Sequence, residues 1–495
     1  MNRSAGKPDR GGERAILPLL AACAILFLFS PLKGDSLTLT VRDAVLFALE
    51  HNGSLAVERL KAAAGKTYEP EERGAFDPTL SAGLSQTKRR SASGEGTAEN
   101  TSLRADITVP LPTGTVFEGA ADLSAGDDPF LGLSVGVSQD LLKGGKKAAN
   151  LAAVKQAELQ GFSSDYELRG FTEALVASVE TAYWDFYSGG TAAGIYREGL
   201  SLAEQQLYEI RERVSLGALP AIEGIAAQAE VALRRESLLV AEGRLENARL
   251  ELLNLINLPG EDLWEKAIAP GDTPAAPESG IDDLRAHLTS ALRMRPDLNQ
   301  AILEKRSGDL DVVQTKNGLL PRLELFISLG KTGYAESFSR VASDLGSGGL
   351  DLGASLIFSY PIGNRQARAR NERALYTAQQ AQASLDNLRR LVELDVRLAH
   401  ADANLSRERI DVTVSSRSLQ EEKLRAEMEK FGVGRSTALL VAQVQRDLLD
   451  SKIAEEEALI GYIKSLVSLY RLDGSLLLRR GVAAPGEDPA EPSAR

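Results

Sequence analysis

The stretch PRLELFISLG, residues 321–330, alternates apolar and polar side chains. This period of two is typical of a β-strand with two different faces, and it determines the fold class of the chain. In an extended strand, one face would carry Leu323, Leu325, Ile327 and Leu329. The opposite face would carry Arg322, Glu324 and Ser328. Alternate residues of a strand point to opposite sides. The stretch therefore predicts a strand with one apolar face and one polar face.

The same pattern recurs in FLGLSVGVS at 130–138 and LDLGASLIFSY at 350–360, and more weakly at 79–89, 102–109 and 115–124. The clear strands contain roughly 9–11 residues, the length with which a tilted strand crosses a bilayer. A soluble β-sandwich would need strands throughout the chain. Here the strands are confined to two regions, so the pattern favours transmembrane strands.

Long helical segments separate these strand regions. Apolar residues recur every three or four positions, with almost no proline, at about 146–214 and 366–430. At 1.5 Å per residue these helices would be roughly 95–105 Å long. Shorter return segments, at about 221–258 and 437–472, would be roughly 50–60 Å long. Each half of the chain therefore predicts an antiparallel helical hairpin.

The chain also reads as an internal duplication. ALEHNGSL, starting at Ala48, matches ALRMRPDL, starting at Ala291, and the glycines Gly217 and Gly434 occupy corresponding hairpin turns. The predicted organisation is a first repeat over 38–260, a linker over 261–280, a second repeat over 281–475 and a disordered tail over 476–495. Each repeat is expected to contain a helix, strands and a long hairpin, with the strands at about 79–138 and 322–360.

Composition excludes several functional classes. The net charge is −12 and the pI is near 5.1, so no broad basic face is available for nucleic acid. The mean hydropathy of −0.15 excludes a polytopic helical membrane protein but not a β-barrel, whose alternating strands average out. The three histidines, His51, His287 and His400, lack metal-site spacing and accompany no nucleophile motif. We therefore predict no enzyme activity, cofactor or metal.

Residues 1–34 are typical of an export signal, with basic residues before the apolar run AILPLLAACAILFLFS. The chain's single cysteine, Cys23, lies inside this run. Two interpretations remain open. Either the signal is cleaved after residue 30, or Leu20-Ala21-Ala22-Cys23 is a lipobox and Cys23 is the lipidated first residue of the mature protein.

Four or six strands from one chain cannot close a barrel and would leave unpaired edges in lipid. A ring of identical subunits removes those edges. The predicted fold is therefore mixed helix and transmembrane strand, in which several chains complete one β-barrel and their hairpins form a tube below it.

With these features, the chain resembles the TolC-like outer-membrane efflux protein family over about residues 38–475. The motifs of the second half that carry the resemblance are Arg295-Pro296-Asp297-Leu298, Leu320-Pro321, Tyr360-Pro361-Ile362-Gly363-Asn364-Arg365 and Phe431-Gly432-Val433-Gly434. The resemblance implies a homotrimer in the outer membrane of a diderm bacterium, with a β-barrel continued by a long α-helical periplasmic tunnel. It also implies a periplasmic adaptor (membrane fusion protein) and an inner-membrane pump or ABC transporter as partners, in efflux or type I secretion.

Most members of this family have 12 strands per trimer, four from each protomer. The additional strand-like pair between about 102 and 124, with the turn Leu111-Pro112-Thr113-Gly114, exceeds that pattern. Both flanking helices must lie on the same side of the membrane, so the first half contributes either two or four strands. The sequence leaves 12 and 18 strands per trimer open.

The hairpin tips are the predicted site of adaptor docking. The tip residues are Leu216, Gly217, Ala218, Val433, Gly434 and Arg435. The family's ring of paired aspartates would fall at Leu440 and Gln443, so that ring is predicted to be absent. Glu223 and Arg435 form either a gate latch or ordinary solvated helix-end charges, because an exposed pair contributes only about 0–1 kcal/mol.

Two other functions share part of this sequence pattern. A periplasmic coiled-coil adaptor or scaffold would share the long hairpins but would lack membrane-length strands. A general porin forms its barrel from many strands of one chain rather than from a few strands between helices. The sequence therefore favours a channel subunit, and it does not identify the exported substrate.

Overall fold

The computed structural model describes residues 37–90, 97–125, 129–260, 262–277, 280–334, 349–486 and 490. The predicted export signal and Cys23 lie outside these residues. Among the described helices, none has both the length and the apolar character needed to cross a membrane.

Eight strands occur in the described residues. In chain order they are β1 (Leu37–Leu39), β2 (Thr79–Arg90), β3 (Thr97–Pro110), β4 (Thr115–Ala125), β5 (Phe130–Asp140), β6 (Ile268–Pro270), β7 (Arg322–Tyr334) and β8 (Leu350–Ser359). Six of them form one antiparallel sheet in the order β2, β3, β4, β5, β7, β8. The first half of the chain thus contributes four strands and the second half two.

The additional strand pair of the first half is β3 and β4, and its turn is the predicted Leu-Pro-Thr-Gly. Gly114 has φ +77°, and a Cβ at this position would lie 2.3 Å from the carbonyl oxygen of Gly144. Only glycine fits such a close approach with a positive φ. The turn is closed by the Leu111 amide, which donates to the Thr115 carbonyl at 2.8 Å.

Helices account for most of the remaining chain. In order they are α1 (Val41–His51), α2 (Gly53–Gly65), α3 (Tyr68–Arg73), α4 (Lys147–Asn150), α5 (Ala152–Ser215), α6 (Ala221–Ile256), α7 (Leu284–Met294), α8 (Pro296–Gly318), α9 (Arg365–Gly432), α10 (Ala438–Leu472) and α11 (Leu476–Arg480). The start of α1 has a capping box formed by Thr40 and Asp43. The Thr40 hydroxyl accepts from the Asp43 amide, and the Asp43 carboxylate accepts from the Thr40 amide, both at 3.1 Å.

The four longest helices form two antiparallel hairpins that pack side by side. Helix α5 packs along α6, and α9 packs along α10. Because α5 also contacts α10, and α6 touches α10 over a smaller area, the two hairpins form one four-helix wall in the approximate order α6, α5, α10, α9, here called the helical wall. Nearer the sheet, α8 lies between α5 and α9, whereas α2 and α3 pack on α5. The outermost helices of the wall are therefore α6 and α9.

Aromatic residues of α5 anchor the main core where α5 meets α1, α6 and α10. Tyr183 is fully buried, and its hydroxyl donates to the Leu39 carbonyl at 3.0 Å while accepting from the amides of Gly271 and Asp272. Trp184 is buried beside Tyr183 with the two rings edge to face. These aromatic residues therefore belong to the packing between helices rather than to an exposed stacking surface.

The segment predicted as a linker contains ordered structure. Its strand β6 pairs in parallel with β1, so that Leu37 lies opposite Ile268. Leu39 and Ile268 are both buried in the main core. Residues separated by more than 200 positions thus form a two-stranded ribbon, a long-range pairing that local composition does not reveal.

The disordered tail predicted for 476–495 is wrong for its described part. Leu476 and Leu477 of α11 are buried in the main core. Arg480 reaches the buried carboxylate of Glu180 through two hydrogen bonds of 2.5 and 2.7 Å. Farther along, Arg169 donates to the carbonyl oxygen of Gly486 at 3.3 Å. The tail is ordered because it covers apolar surface and neutralises a carboxylate that α5 alone would leave buried without a cation. Residues 487–489 and 491–495 lie outside the described part.

Glu173, one turn from Arg169, makes the stability of this region depend on pH. Burial raises the pKa of the Glu173 carboxyl to about 7, although Arg169 Nε lies 3.2 Å away and opposes the shift. In the unfolded chain the pKa of a glutamate carboxyl is about 4.3. The folded protein therefore holds the proton more tightly than the unfolded chain. The contribution of Glu173 to stability is fully present below about pH 4 and is lost as the pH rises through about 7.

We expect Glu173→Gln to remove this dependence. Between about pH 5 and about pH 8, the unaltered protein should lose about 1–3 kcal/mol of stability relative to the glutamine variant. Equilibrium unfolding in detergent at several pH values measures the difference. The exposed Glu167→Gln is the matched control and should follow the unaltered protein. Parallel pH profiles for the unaltered protein and Glu173→Gln would contradict the shifted pKa.

Candidate functional site: the two-faced sheet and the hairpin tips

One face of the six-stranded sheet is apolar across all six strands, with Lys331, opposite Leu133 and Leu350, as a charged exception. The register aligns one row across it, consisting of Leu80, Ile107, Gly119, Val135, Leu329 and Leu352. Leu80, Val135 and Leu352 are 76%, 60% and 75% exposed in the single chain. An uncovered apolar surface of this extent marks an interaction with lipid or protein. The alternation predicted for the strands is thus present and aligned from strand to strand.

The opposite face carries serine, glycine and charged residues. Arg104 of β3 bonds to Asp106 at 2.9 Å and lies 3.4 Å from Asp122 of β4. The hydroxyls of Ser85 and Ser102 lie 2.7 Å apart across β2 and β3. Phe326 also lies on this face, where it packs over Gly136 of the neighbouring strand. One face thus suits an apolar medium and the other suits water.

The sheet is open in the single chain. Strands β2 and β8 are its two edges, and within the described residues neither has a second neighbouring strand. An edge presents a row of unpaired N–H and C=O groups. In an apolar medium these groups must be paired, because water is not available to solvate them.

The two hairpin tips share one turn geometry, which the sequence explains. After α5, the Ala218 amide donates to the Arg213 carbonyl at 2.8 Å and the Gly217 amide donates to Val214 at 3.0 Å. After α9, Arg435 and Gly434 form the same pair of bonds, to Lys430 at 2.8 Å and Phe431 at 3.1 Å. This is the Schellman motif, in which the residue after the C-cap adopts a left-handed conformation. Gly217 and Gly434 have φ +73° and +76°.

The tip residues are solvent-exposed and lie beside one another. Leu216 and Val433 are 80% and 73% exposed, and Ala218 and Arg435 are exposed as well. A cavity of about 160 Å³ lies between the two hairpins at this end, with walls from α5, α6, α9 and α10. The fold therefore brings both predicted tip segments to one end of the helical wall, opposite the sheet.

Glu223 and Arg435 lie on neighbouring tips but form no ion pair with each other in the described part of the single chain. Glu223 occupies the first turn of α6, and Arg435 follows Gly434 in its turn. At the same tip the Ser436 hydroxyl donates to Glu427 at 2.5 Å, which lowers the pKa of that carboxyl. A gate latch between Glu223 and Arg435 therefore stays a prediction. Leu440, one of the two positions where the resemblance would place an acidic residue, is exposed.

Several charged residues are buried without a sequence pattern that indicates it. Glu230 bonds to Arg234 at 2.8 Å with both side chains buried between the hairpins. The only available signal was the four-residue spacing, which exposed pairs share. His287 is likewise buried, with Nδ1 2.6 Å from Asp473. Its partner lies 186 residues away, beyond the reach of any local pattern.

Comparisons with known proteins agree with this geometry. Residues 288–475 match the family model described as outer membrane efflux protein. No curated protein sequence matches the chain. Among solved structures, the outer-membrane channel OprN is similar with a TM-score of 0.68 and 20% identity, over 88% of this chain and 90% of its own.

Two further channels show the same likeness. The CmeC outer membrane channel of Campylobacter jejuni has a TM-score of 0.68 and 14% identity, over 91% of this chain and 87% of its own. The open state of the MtrE outer membrane channel of Neisseria gonorrhoeae has a TM-score of 0.65 and 19% identity, over 88% of this chain and 89% of its own. At these identities the structures establish the shared fold.

The match over residues 288–475 agrees with the resemblance drawn from the second-half motifs. The family consists of efflux channels rather than enzymes. The six strands of the sheet exceed the four that the resemblance implies.

Proposed function

We propose that this chain, an outer membrane efflux protein by its family match over residues 288–475, is one of three identical subunits of an export channel. The channel would receive substrates from an inner-membrane pump or ABC transporter through a periplasmic adaptor, in tripartite efflux or type I secretion. The observation that carries the proposal is the open sheet with one apolar face. It fits a bilayer only if other chains complete it.

The strand directions support closure by identical copies. β2 runs away from the hairpins and β8 runs back toward them, so β8 of one copy can pair antiparallel with β2 of the next. Repeating this contact around a three-fold axis gives 18 strands and no free edge. The apolar face would then lie outside, toward lipid, and the polar face would line the pore.

The outer helices of the wall carry matching apolar surfaces. Along α9, exposed apolar residues recur every seven positions at Leu391, Leu398, Leu405, Val412 and Leu419. Along α6, the large exposed apolar residues are Ile222, Ile225, Leu233, Leu239 and Val240. A seven-residue apolar repeat is typical of a seam between packed helices. Contact between α9 of one copy and α6 of the next would cover both surfaces and close the wall into a tunnel.

The order of elements also supports the proposed duplication. Helices lead into strands and then into a long hairpin in residues 38–260, and the same order returns in 281–475. Both hairpins end in the same Schellman turn. We propose that each repeat supplies half of the tunnel wall of one subunit, and that the lipidation of Cys23 remains an alternative to simple signal cleavage.

The proposal predicts a heat-resistant trimer that leaves the membrane only with detergent. Protease added to intact cells should cut the Gly- and Ser-rich loops at about 90–101 or 332–349 and should spare the turns at Gly217 and Gly434. Gel migration with and without boiling, followed by mapping of the cleavage sites, tests both expectations. Cleavage at the two turns with the loops intact would invert the topology. A monomer extracted without detergent would instead favour a periplasmic adaptor or scaffold.

A further inference from the structure

Two short charged segments flank the edge strands of the sheet on the hairpin side. α3 ends shortly before β2 begins at Thr79, and α9 begins shortly after β8 ends at Ser359. Within one chain these segments lie at opposite ends of the sheet, with four strands between β2 and β8. Helix α3 packs on α5, whereas the start of α9 packs on α8, so each is an outermost helix at this level.

The two segments carry opposite charges. The acidic residues of α3 are Glu69, Glu71 and Glu72. The basic residues at the start of α9 are Arg365, Arg368, Arg370 and Arg373. The other charges on these segments are Arg73, which is paired with Glu69 at 2.6 Å, and Glu372, which accepts from the Tyr376 hydroxyl.

Much of this charge has no counterpart in one subunit. Glu71 and Glu72 are exposed, as are all four arginines. Within the described residues of the single chain, none of these six side chains forms an ion pair or a hydrogen bond. Four cations within nine residues repel one another, so an opposite charge brought close to them is favourable.

From this placement, we infer that α3 of one subunit and the start of α9 of the next form an acidic-basic contact that fixes the order of subunits just below the barrel. The inference rests on the proposed ring. When β8 pairs with β2 of a second copy, Ser359 and Thr79 lie at the same edge of the sheet, on strands about 4.8 Å apart. The charged segments that continue from these two residues then become neighbours.

The occupant of the basic segment is a second copy rather than lipid headgroups for two reasons. First, the opposite charge is already present on the edge that a second copy would bring to it. Second, the contact is continuous with the apolar surface on α9 from Leu391 to Leu419, which faces the same neighbour in the ring. Complementary charges at the rim of an apolar interface set partner choice and register more than affinity.

Charge reversal tests the contact. Glu71→Lys with Glu72→Lys places positive charge against the arginines, and Arg370→Glu with Arg373→Glu places negative charge against α3. We expect either pair alone to lower the temperature at which the trimer dissociates on a gel. Combining all four substitutions restores opposite charges across the interface and should recover the original temperature.

Helix α5 supplies matched controls, because it lies inside the helical wall between α6 and α10. Glu198→Lys and Arg211→Glu make the same charge changes at exposed positions and should leave the trimer unchanged. If the four substitutions together are no better than the worse pair, the contact does not exist. If only the arginine changes weaken the trimer, these side chains meet lipid phosphates, and the inference is likewise overturned. An unaltered chain that forms no trimer would overturn the proposed channel as well.

Discussion

Leu329→Arg is expected to lower the stability of the membrane-inserted protein by about 2–4 kcal/mol. Leu329 lies in the apolar row that crosses all six strands, between Val135 and Leu352. The rows on both sides are apolar apart from Lys331, so this row lies within the apolar band. A guanidinium at this depth either loses its hydration or thins the surrounding bilayer. Unfolding in lipid vesicles as a function of denaturant concentration measures the loss.

Ser328→Arg is the matched control, one residue earlier on the polar face. Its cross-strand neighbours are Gly136 and Gly353, so the longer side chain has room to extend toward water. The same charge change is therefore expected to have a much smaller effect on stability. Equal losses from the two substitutions would show that the two faces do not contact different media. Tolerance of arginine at both positions would exclude the apolar face as the lipid-facing surface.

The strands and helices that follow local patterns could be predicted from sequence. The alternation in PRLELFISLG predicted a strand at 322–331, and the structure has β7 at Arg322–Tyr334. The helix predicted for about 366–430 spans Arg365–Gly432, and its return segment ends at Leu472 as expected. In each case the signal is a repeated spacing along the chain, because a face that is buried or lipid-exposed must remain apolar at the period of its element.

The strand count could be limited to an even number but not decided. The apolar face of β4 includes Gly119, Ala121 and Ala125, and that of β3 includes Ala105, so the alternation of these two strands is weak. Their pairing is favoured by the cross-strand register, which aligns Ile107 with Gly119 and places them beside Val135. An alanine or glycine in a transmembrane strand contributes little hydrophobicity itself. Whether such a residue lies on the apolar face can be decided only from the residues opposite it on the neighbouring strands.

Contacts between distant segments could not be predicted. The ribbon of β1 and β6, the Arg480–Glu180 pair and the His287–Asp473 pair each join residues that are far apart in sequence. A charged residue on a helix looks the same in sequence whether it faces water or a buried partner. Glu230 and Arg234 show this ambiguity, because their spacing of four residues is equally typical of an exposed pair.

The glycines at the hairpin tips have two possible roles, in the turn and in docking of an adaptor. The turn alone is enough to explain them. Both follow the C-cap residue of a long helix and have positive φ. A Cβ at Gly217 would meet no atom within 4 Å, so the backbone conformation alone accounts for glycine there. The structure therefore explains the turn without reference to a partner. Adaptor docking has to be tested at a neighbouring residue that has no role in the turn.

Ala218→Trp provides that test, and we expect it to abolish export while the trimer and its insertion in the membrane remain intact. Ala218 is exposed, and it contributes to the turn only through its amide, which tryptophan retains. A large ring at the end of the hairpin would block close approach by another protein without disturbing the fold. An export assay and a trimer gel on the same cells measure the two outcomes separately.

Two controls separate docking from bulk and from turn strain. Gln205→Trp adds the same ring at an exposed site about three turns from the end of α5 and should leave export unchanged. Gly217→Val should instead destabilise the turn by about 1–3 kcal/mol, because a β-branched residue is strained at positive φ. It should therefore reduce the amount of folded protein. If Ala218→Trp exports normally, the tips reverse the chain and do nothing more, and the adaptor must bind elsewhere on the helical wall.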